Sequence, residues 1–404
     1  MRIFCAIRHS NNPRHFSGGL WSSNAYPALR SLGHEVVESQ TDLLPTSLFM
    51  DVASDFTCQE LATRADTTQK IIDEVIEAKR TGPVDLFLSY FYNAHFDPTG
   101  FDELRKLGIP TINFYCNSIH QFDLVSRIAA RADFSWHPER SASIFYRSVG
   151  GNPVWVTFGA DPDLYRPIDV SMRAPKACFV GQRYADRASL LTKLFSAGVP
   201  VDIYGGGWGQ KGDQADLPYK DRIYLGRAQR RSGTFGSYVN IARNTFTKHG
   251  LKDGFSRLSK RAIEAVNNRK NSVTLRPSIK GIARNMVHVL NSYEVALNFS
   301  NVWADGEPGS QLTPHIRLRD FEAPMSGACY LTGATEEIGE FYEIGVEIDT
   351  YQDTEELIDK ARFYLHNPHA AAQLRTRGFL RARAEHTWTR RFEELFRKIG
   401  FSIA

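Results

Sequence analysis

HIRLRDFEAPMSGACYLTGATEE, residues 315–337, reads as a polar loop, a helix start, a glycine turn, a short strand and an acidic turn. Arg317, Arg319 and Glu322 precede Ala323 and Pro324, and Ser326-Gly327 lead into Ala328-Cys329-Tyr330-Leu331. A short apolar run bounded by turn signals is the pattern of a strand buried in a parallel sheet, and 328–331 fits it. Ligands of open α/β sheets sit beyond the carboxyl ends of strands and at helix N-termini. Two guanidinium groups and a carboxylate just before such a strand suit a phosphorylated sugar. The same charges also suit a helix cap and a solvated face.

Further signals lie on either side. Arg319-x-Phe321-Glu322-Ala323-Pro324-x-x-Gly327 resembles the R-x-F-E-A-x-x-x-G core of the CgeB-like glycosyltransferases, part of the GT-B group that includes glycosyltransferase family 4. The likeness continues through Tyr351-Gln352-Asp353, Glu355-Glu356-Leu357, Tyr364-Leu365-x-x-Pro368 and His386-Thr387-Trp388-x-x-Arg391. It is densest from about 285 to 395 and thinner over 153–226, and the order of the motifs makes it specific. The resemblance implies an α/β GT-B fold: two Rossmann-like domains with a cleft between them. It also implies transfer of a sugar from a nucleoside diphosphate sugar to an acceptor. An epimerase or hydrolase of the same fold, or a non-catalytic nucleotide-sugar-binding protein, are the alternatives.

Length agrees with two domains, because 404 residues exceed what one core usually serves. Hydrophobic residues make up 42% and charged residues 23%, with a net charge of +4, an ordinary soluble composition. Cys5, Cys58, Cys116, Cys178 and Cys329 are scattered without a C-x-x-C pair. That argues against a zinc site or disulfide frame and for a reducing compartment. The N-terminal apolar run is too short for a signal segment, and no run approaches the roughly 18 apolar residues of a membrane span. The expected location is cytoplasmic, with peripheral membrane contact open.

The N-terminal half alternates strands and helices, the sign of a parallel sheet covered on both faces. Strands are expected at 2–7, 35–39, 84–89, 111–115, 133–136 and 153–156, and helices at 20–32, 59–80 and 138–149. Pro27 weakens the first of these helices. Gly18 and Gly19 end the first loop, which in GT-B enzymes often lines the acceptor site. They also suit a plain βα turn. Turn-rich residues 158–167 mark the boundary, giving an N-terminal acceptor-side domain over 1–165 and a nucleotide-sugar-binding domain over 166–387. The last helix, 388–404, is expected to cross back to the first domain. Gly205-Gly206-Gly207-Trp208-Gly209 invites a dinucleotide reading, which the turn-like 211–218 stretch argues against. Residues 227–284 look like an insertion, with fourteen Lys and Arg against Asp253 and Glu264, or +12. Leu251, Phe255, Leu258, Ala262 and Val266 form an apolar stripe there at helical spacing. A hairpin docked on its own domain, an anionic membrane surface and an anionic acceptor are all compatible with it. No nucleic-acid-binding motif accompanies the charge.

A leaving diphosphate can be met by Arg, Lys and backbone amides without a metal, and no cofactor is expected. The resemblance assigns the donor to Gly181, Arg183, Arg187, Gly226, His315, Arg317, Arg319 and Glu322. Glu322 matches the second Glu of the family 4 pair. The first would fall at Pro314, with Asp305, Glu307 or His315 as nearest substitutes. His120, after a strand of the first domain, is a candidate base or sugar contact and, with Glu322, a catalytic candidate. A structural histidine is the other reading. Similarity to family 4 favours retention.

Overall fold

The computed structural model describes residues 1–9, 20–208 and 235–401, leaving aside the side chains of 235–244, 247–249, 265 and 268. The chain divides into two compact units. One holds Met1–Thr157, Leu217–Ser237 and Trp388–Ala404; the other holds Phe158–Asp216 and Tyr238–Thr387.

The first unit is a parallel sheet in the order β2-β1-β3-β4-β5-β6. Its strands are β1 (Arg2–Ala6), β2 (Glu35–Glu38), β3 (Leu86–Ser89), β4 (Thr111–Phe114), β5 (Phe134–His137) and β6 (Pro153–Trp155). β3 and β4 are buried along their whole length, so their runs are nearly continuous in apolar residues, as expected of strands covered on both faces. The helix Cys58–Thr81 begins in a capping box. Thr57 accepts from the Glu60 amide while Glu60 accepts from the Thr57 amide, which satisfies two amide groups that a helix start leaves open.

The helix Leu20–Ser31 continues through Pro27. Pro27 and Ser23, the residue whose carbonyl it leaves without an amide donor, are both exposed, so water can replace the lost bond and the penalty is reduced. The opposite side packs on the helix Trp388–Lys398. There the Trp388 indole N–H donates to Asn24 Oδ1 at 3.2 Å, and Phe392 meets Trp136 edge-on at 5.5 Å. The final helix is thus part of the N-terminal core.

The second unit is a parallel sheet in the order β14-β13-β10-β7-β8-β9. Its strands are β7 (Ala174–Val180), β8 (Val201–Tyr204), β9 (Ile279–Gly281), β10 (Tyr293–Leu297), β13 (Tyr330–Gly333) and β14 (Asp349–Tyr351). An antiparallel pair, β11 (Asn301–Trp303) and β12 (Leu312–Pro314), stands apart from it. Phe179, Leu191, Ile203, Val295, Leu331 and Leu357 fill the core under the helices Arg187–Ser196 and Thr354–His366. The strand expected at 328–331 starts two residues later. Gly327 turns there at φ +75°, and the Ala328 amide returns to the Ala323 carbonyl, so the chain closes the helix end before it enters the sheet.

The expected alternation of strands and helices, in two parallel sheets, is present. The insertion, where described, is a helix over 235–275 broken at Gly250. Among the described residues all five cysteines are free, and no helix is long and apolar enough to cross a membrane.

Candidate functional site

In the second sheet the strand order reverses between β7 and β10. Crevices outside the carboxyl ends of strands at such a switch point are the usual ligand sites of open α/β sheets. The loop after β7 runs from Gly181 to Asp186 and delivers Arg187 at the first position of the helix Arg187–Ser196. Within that loop Ala185 has φ +49°, a left-handed conformation costly for a residue with a Cβ. The loop after β8 presses on it. Gly205 has φ +134°, and a Cβ there would lie 2.2 Å from the Gly181 carbonyl oxygen. Only glycine permits this approach, which gives the glycine run a packing role. The rest of the stretch weighed in the dinucleotide reading, 209–218, lies outside the described residues.

Arg187 is only 9% exposed. Its Nη1 donates to the Gln182 carbonyl at 2.8 Å, and its guanidinium lies over the rings of Phe179 and Tyr184. Its Nε is buried with no hydrogen-bond partner among the described residues. Burial, reinforced by the charge of Arg317, pushes this guanidinium down to about 9, with Arg319 adding to the effect and Asp186 opposing it. A buried cation made less stable by two other cations is an arrangement that an anion would relieve.

Arg317 and Arg319 come from the segment after β12. The Arg317 guanidinium donates to the carbonyls of Ser300 (3.3 Å) and Asn301 (3.1 Å), just beyond β10. Arg319 opens the helix Arg319–Met325 and pairs with Glu322 at 2.9 Å. The other Glu322 oxygen accepts from the Tyr165 hydroxyl at 2.6 Å.

Asp320, which sequence reasoning passed over, organises this corner. Fully buried, its carboxylate accepts from the Arg317 amide (2.6 Å), the Tyr330 hydroxyl (2.7 Å), Thr332 Oγ1 (3.1 Å) and Asn298 Nδ2 (3.3 Å). Burial raises its pKa and these donors oppose the rise. The signal was the acid in Arg319-Asp320-Phe321-Glu322, one helical step off the face that the motif highlighted.

Arg187, Arg317, Arg319 and Glu322 therefore share one neighbourhood. His315 is buried just upstream, and its amide donates to the Ser300 carbonyl at 3.0 Å. Gly181 lies at the start of the loop, where its carbonyl accepts from the Trp208 indole at 2.9 Å. Arg183 is engaged elsewhere. Its guanidinium lies over Trp208 and donates to Ser272 at 2.6 Å. Asp305 and Glu307, two of the substitutes considered for the absent first Glu, pair with Arg257 and Arg261 of the long helix. Gly18, Gly19 and Gly226 lie outside the described residues.

The first unit has its own switch point, between β1 and β3. His9, after β1, stacks on Tyr90 and meets His95 edge-on at 4.4 Å. His95 shares a hydrogen bond with Ser47 at 3.1 Å. Burial keeps both imidazoles neutral, His9 pushed down to about 4 and His95 well below its usual value. No motif pointed to this pair. His120 lies on the short helix Ser118–Gln121, after β4. Glu139 is buried against that helix's start and accepts from the amides of Ser118 (2.9 Å) and Ile119 (3.4 Å). Burial raises the Glu139 carboxyl to about 7, against the pull of those amides and of His120.

A family model described as glycosyl transferase-like matches residues 187–397, about half of the chain, including Arg187, Arg317, Arg319 and Glu322. The chain belongs to this glycosyl transferase-like family. Among solved structures, sucrose-phosphate synthase from Thermosynechococcus elongatus superposes with a TM-score of 0.55 at 13% identity, covering 99% of each chain. Anabaena HepE in complex with UDP gives 0.53 at 11%, again over 99% of each. A glycosyltransferase from Rickettsia africae gives 0.55 at 9%, over 98% of each. At these identities the likeness establishes the fold, and two parallel six-stranded sheets with flanking helices are the expected GT-B architecture. A search of curated proteins found no match.

Proposed function

We propose that this glycosyltransferase family member transfers a sugar from a nucleoside diphosphate sugar to an acceptor, in the manner of the CgeB-like and family 4 enzymes that its motifs resemble. The observation that carries the reading is Arg187: a buried guanidinium whose Nε has no hydrogen-bond partner among the described residues, beside Arg317 and Arg319, at the switch point of the second sheet. A diphosphate placed there would take the open N–H and relieve the mutual repulsion. As the glycosidic bond breaks, charge grows on the leaving diphosphate, and fixed guanidinium groups stabilise that growth without a divalent cation. Glu322, aimed by Tyr165 and Arg319, would hold donor hydroxyl groups. Gly181 would bring backbone close to the phosphates, and His315 would stand beside the sugar.

In this reading residues 166–387 form the donor domain. Residues 1–165, together with 388–404, serve the acceptor, with Gly18 and Gly19 in the first loop. His120 is the acceptor-side base or sugar contact, since an imidazole titrates near neutrality. Retention follows the family 4 resemblance. UDP and UDP-glucose, found in the Anabaena HepE structures, are the first probes.

The test is calorimetric titration of the full chain with UDP, GDP and ADP in EDTA, with product analysis of the matching sugar nucleotides. The expected result is binding of one nucleotide that Arg187→Met abolishes, with sugar transfer that persists in EDTA. Failure of every nucleotide to bind, or undiminished binding by the variant, overturns the assignment. Burial and the charge of Arg317 hold the free guanidinium below its ordinary value, and a diphosphate bound there favours its charged form, so affinity should also fall as pH rises into the alkaline range.

A further inference from the structure

After Gly250 the basic insertion forms a helix over 251–275, whose two faces are used in an unexpected sense. The face on the domain is polar. Arg257 pairs with Asp305, Arg261 with Glu307 at 2.9 Å and with the Pro308 carbonyl at 2.7 Å, and Ser272 accepts from Arg183. The outward face carries Leu251 (73% exposed), Phe255 (65%), Val266 (58%) and Val273 (73%). At 100° per residue these four fall within a sector of about 60°, spread over roughly 33 Å of helix. Ile263, 60% exposed, stands beside them. Docking usually reverses this arrangement, with the apolar stripe turned inward. Arg269 shares the outward face, and Lys252 and Lys270 line its flank, all exposed, with Asp253 the one exposed carboxylate of 251–275.

We propose that this helix face seats the protein on an anionic lipid bilayer, lying flat in the interface. The apolar stripe would enter the boundary between headgroups and acyl chains, and the flanking ammonium and guanidinium groups would pair with lipid phosphates. Exposed apolar side chains framed by cations are the composition that such a surface selects, and the charge complements an anionic bilayer. A soluble acidic partner would match the cations but would leave the stripe in water. The inference rests on the helix alone and holds whichever nucleotide the enzyme uses.

The test is co-sedimentation of the full-length protein with vesicles of phosphatidylcholine, or of phosphatidylcholine with an equal part of phosphatidylglycerol, at low and physiological salt. Binding should be at least about tenfold tighter to the anionic vesicles and should weaken with salt. The triple variant Leu251→Ser, Val266→Ser, Val273→Ser should lose about tenfold or more while its melting temperature stays unchanged, since these side chains are largely exposed; Phe255, whose ring meets Phe246 edge-on at 5.0 Å, is left in place. Lys252→Gln, Arg269→Gln, Lys270→Gln should abolish the preference for anionic lipid. No binding to anionic vesicles at low salt, or binding that survives the triple serine variant, overturns the proposal. Concentration-dependent dimers that the serine variant dissolves, without vesicle binding, would likewise overturn it and assign the face to a second copy of the chain.

Discussion

Replacing Arg187 with Met should make the free protein more stable and unable to bind its donor. Lowering a guanidinium from its usual value above 12 to about 9 is a loss of about three decades in proton affinity. At 1.36 kcal/mol per decade this is an upper bound of about 4 kcal/mol of destabilisation by the buried charge. Methionine forfeits the hydrogen bond to the Gln182 carbonyl, about 1 kcal/mol, and some attraction to the rings of Phe179 and Tyr184, about 0.5–1 kcal/mol. The balance is a gain of about 1–3 kcal/mol, within the range found when buried ions give way to apolar side chains. For a unit of this size that raises the melting temperature by about 2–10 °C. Thermal unfolding with and without the bound nucleotide reads both halves. The wild-type chain should melt higher with the nucleotide, and the variant should start higher and not respond. A variant that melts lower than wild type and still shows the full nucleotide shift would refute the reasoning, because the charge would then be neither strained nor reserved for a ligand.

Glu322→Gln keeps the side-chain shape but removes the charge shared with Arg319; transfer should fall by about two orders of magnitude or more, with circular dichroism unchanged. Glu139→Gln should alter the pH dependence of stability. The buried carboxyl, raised to about 7, binds a proton more tightly in the folded state, so its contribution is complete below its unfolded value and disappears as pH rises through 7. Urea midpoints at pH 5 and pH 8 should therefore show the variant gaining on wild type by about 1–3 kcal/mol at the higher pH. Gly205→Ala forces a Cβ onto the Gly181 carbonyl and should cost about 2 kcal/mol or more, read as a lower urea midpoint together with weaker nucleotide binding. His120→Ala should reduce transfer with donor affinity unchanged, as single-turnover kinetics and calorimetry would separate.

Much of the architecture is local in origin, so it was legible in the residue string. Buried parallel strands need short apolar runs, and those at 2–7, 84–89 and 111–115 coincide with β1, β3 and β4. The helix at 59–80 announced itself by its period, while its capping box, Thr57 with Glu60, emerged only with the structure. The motif around Arg319 marked the corner where Arg319 and Glu322 meet, because an i, i+3 pair on a helix is adjacent by geometry alone. What tertiary structure decided was every relation between distant segments. The convergence of Arg187 with Arg317 and Arg319 depends on where the sheet order reverses, and strand order is not encoded in strand composition. The engagement of Asp305 and Glu307 by Arg257 and Arg261 depends on how an inserted helix docks. The same is true of its apolar stripe: periodicity located the stripe, but only the fold determined which face turns to solvent, since either face of a helix can be buried until something is packed against it.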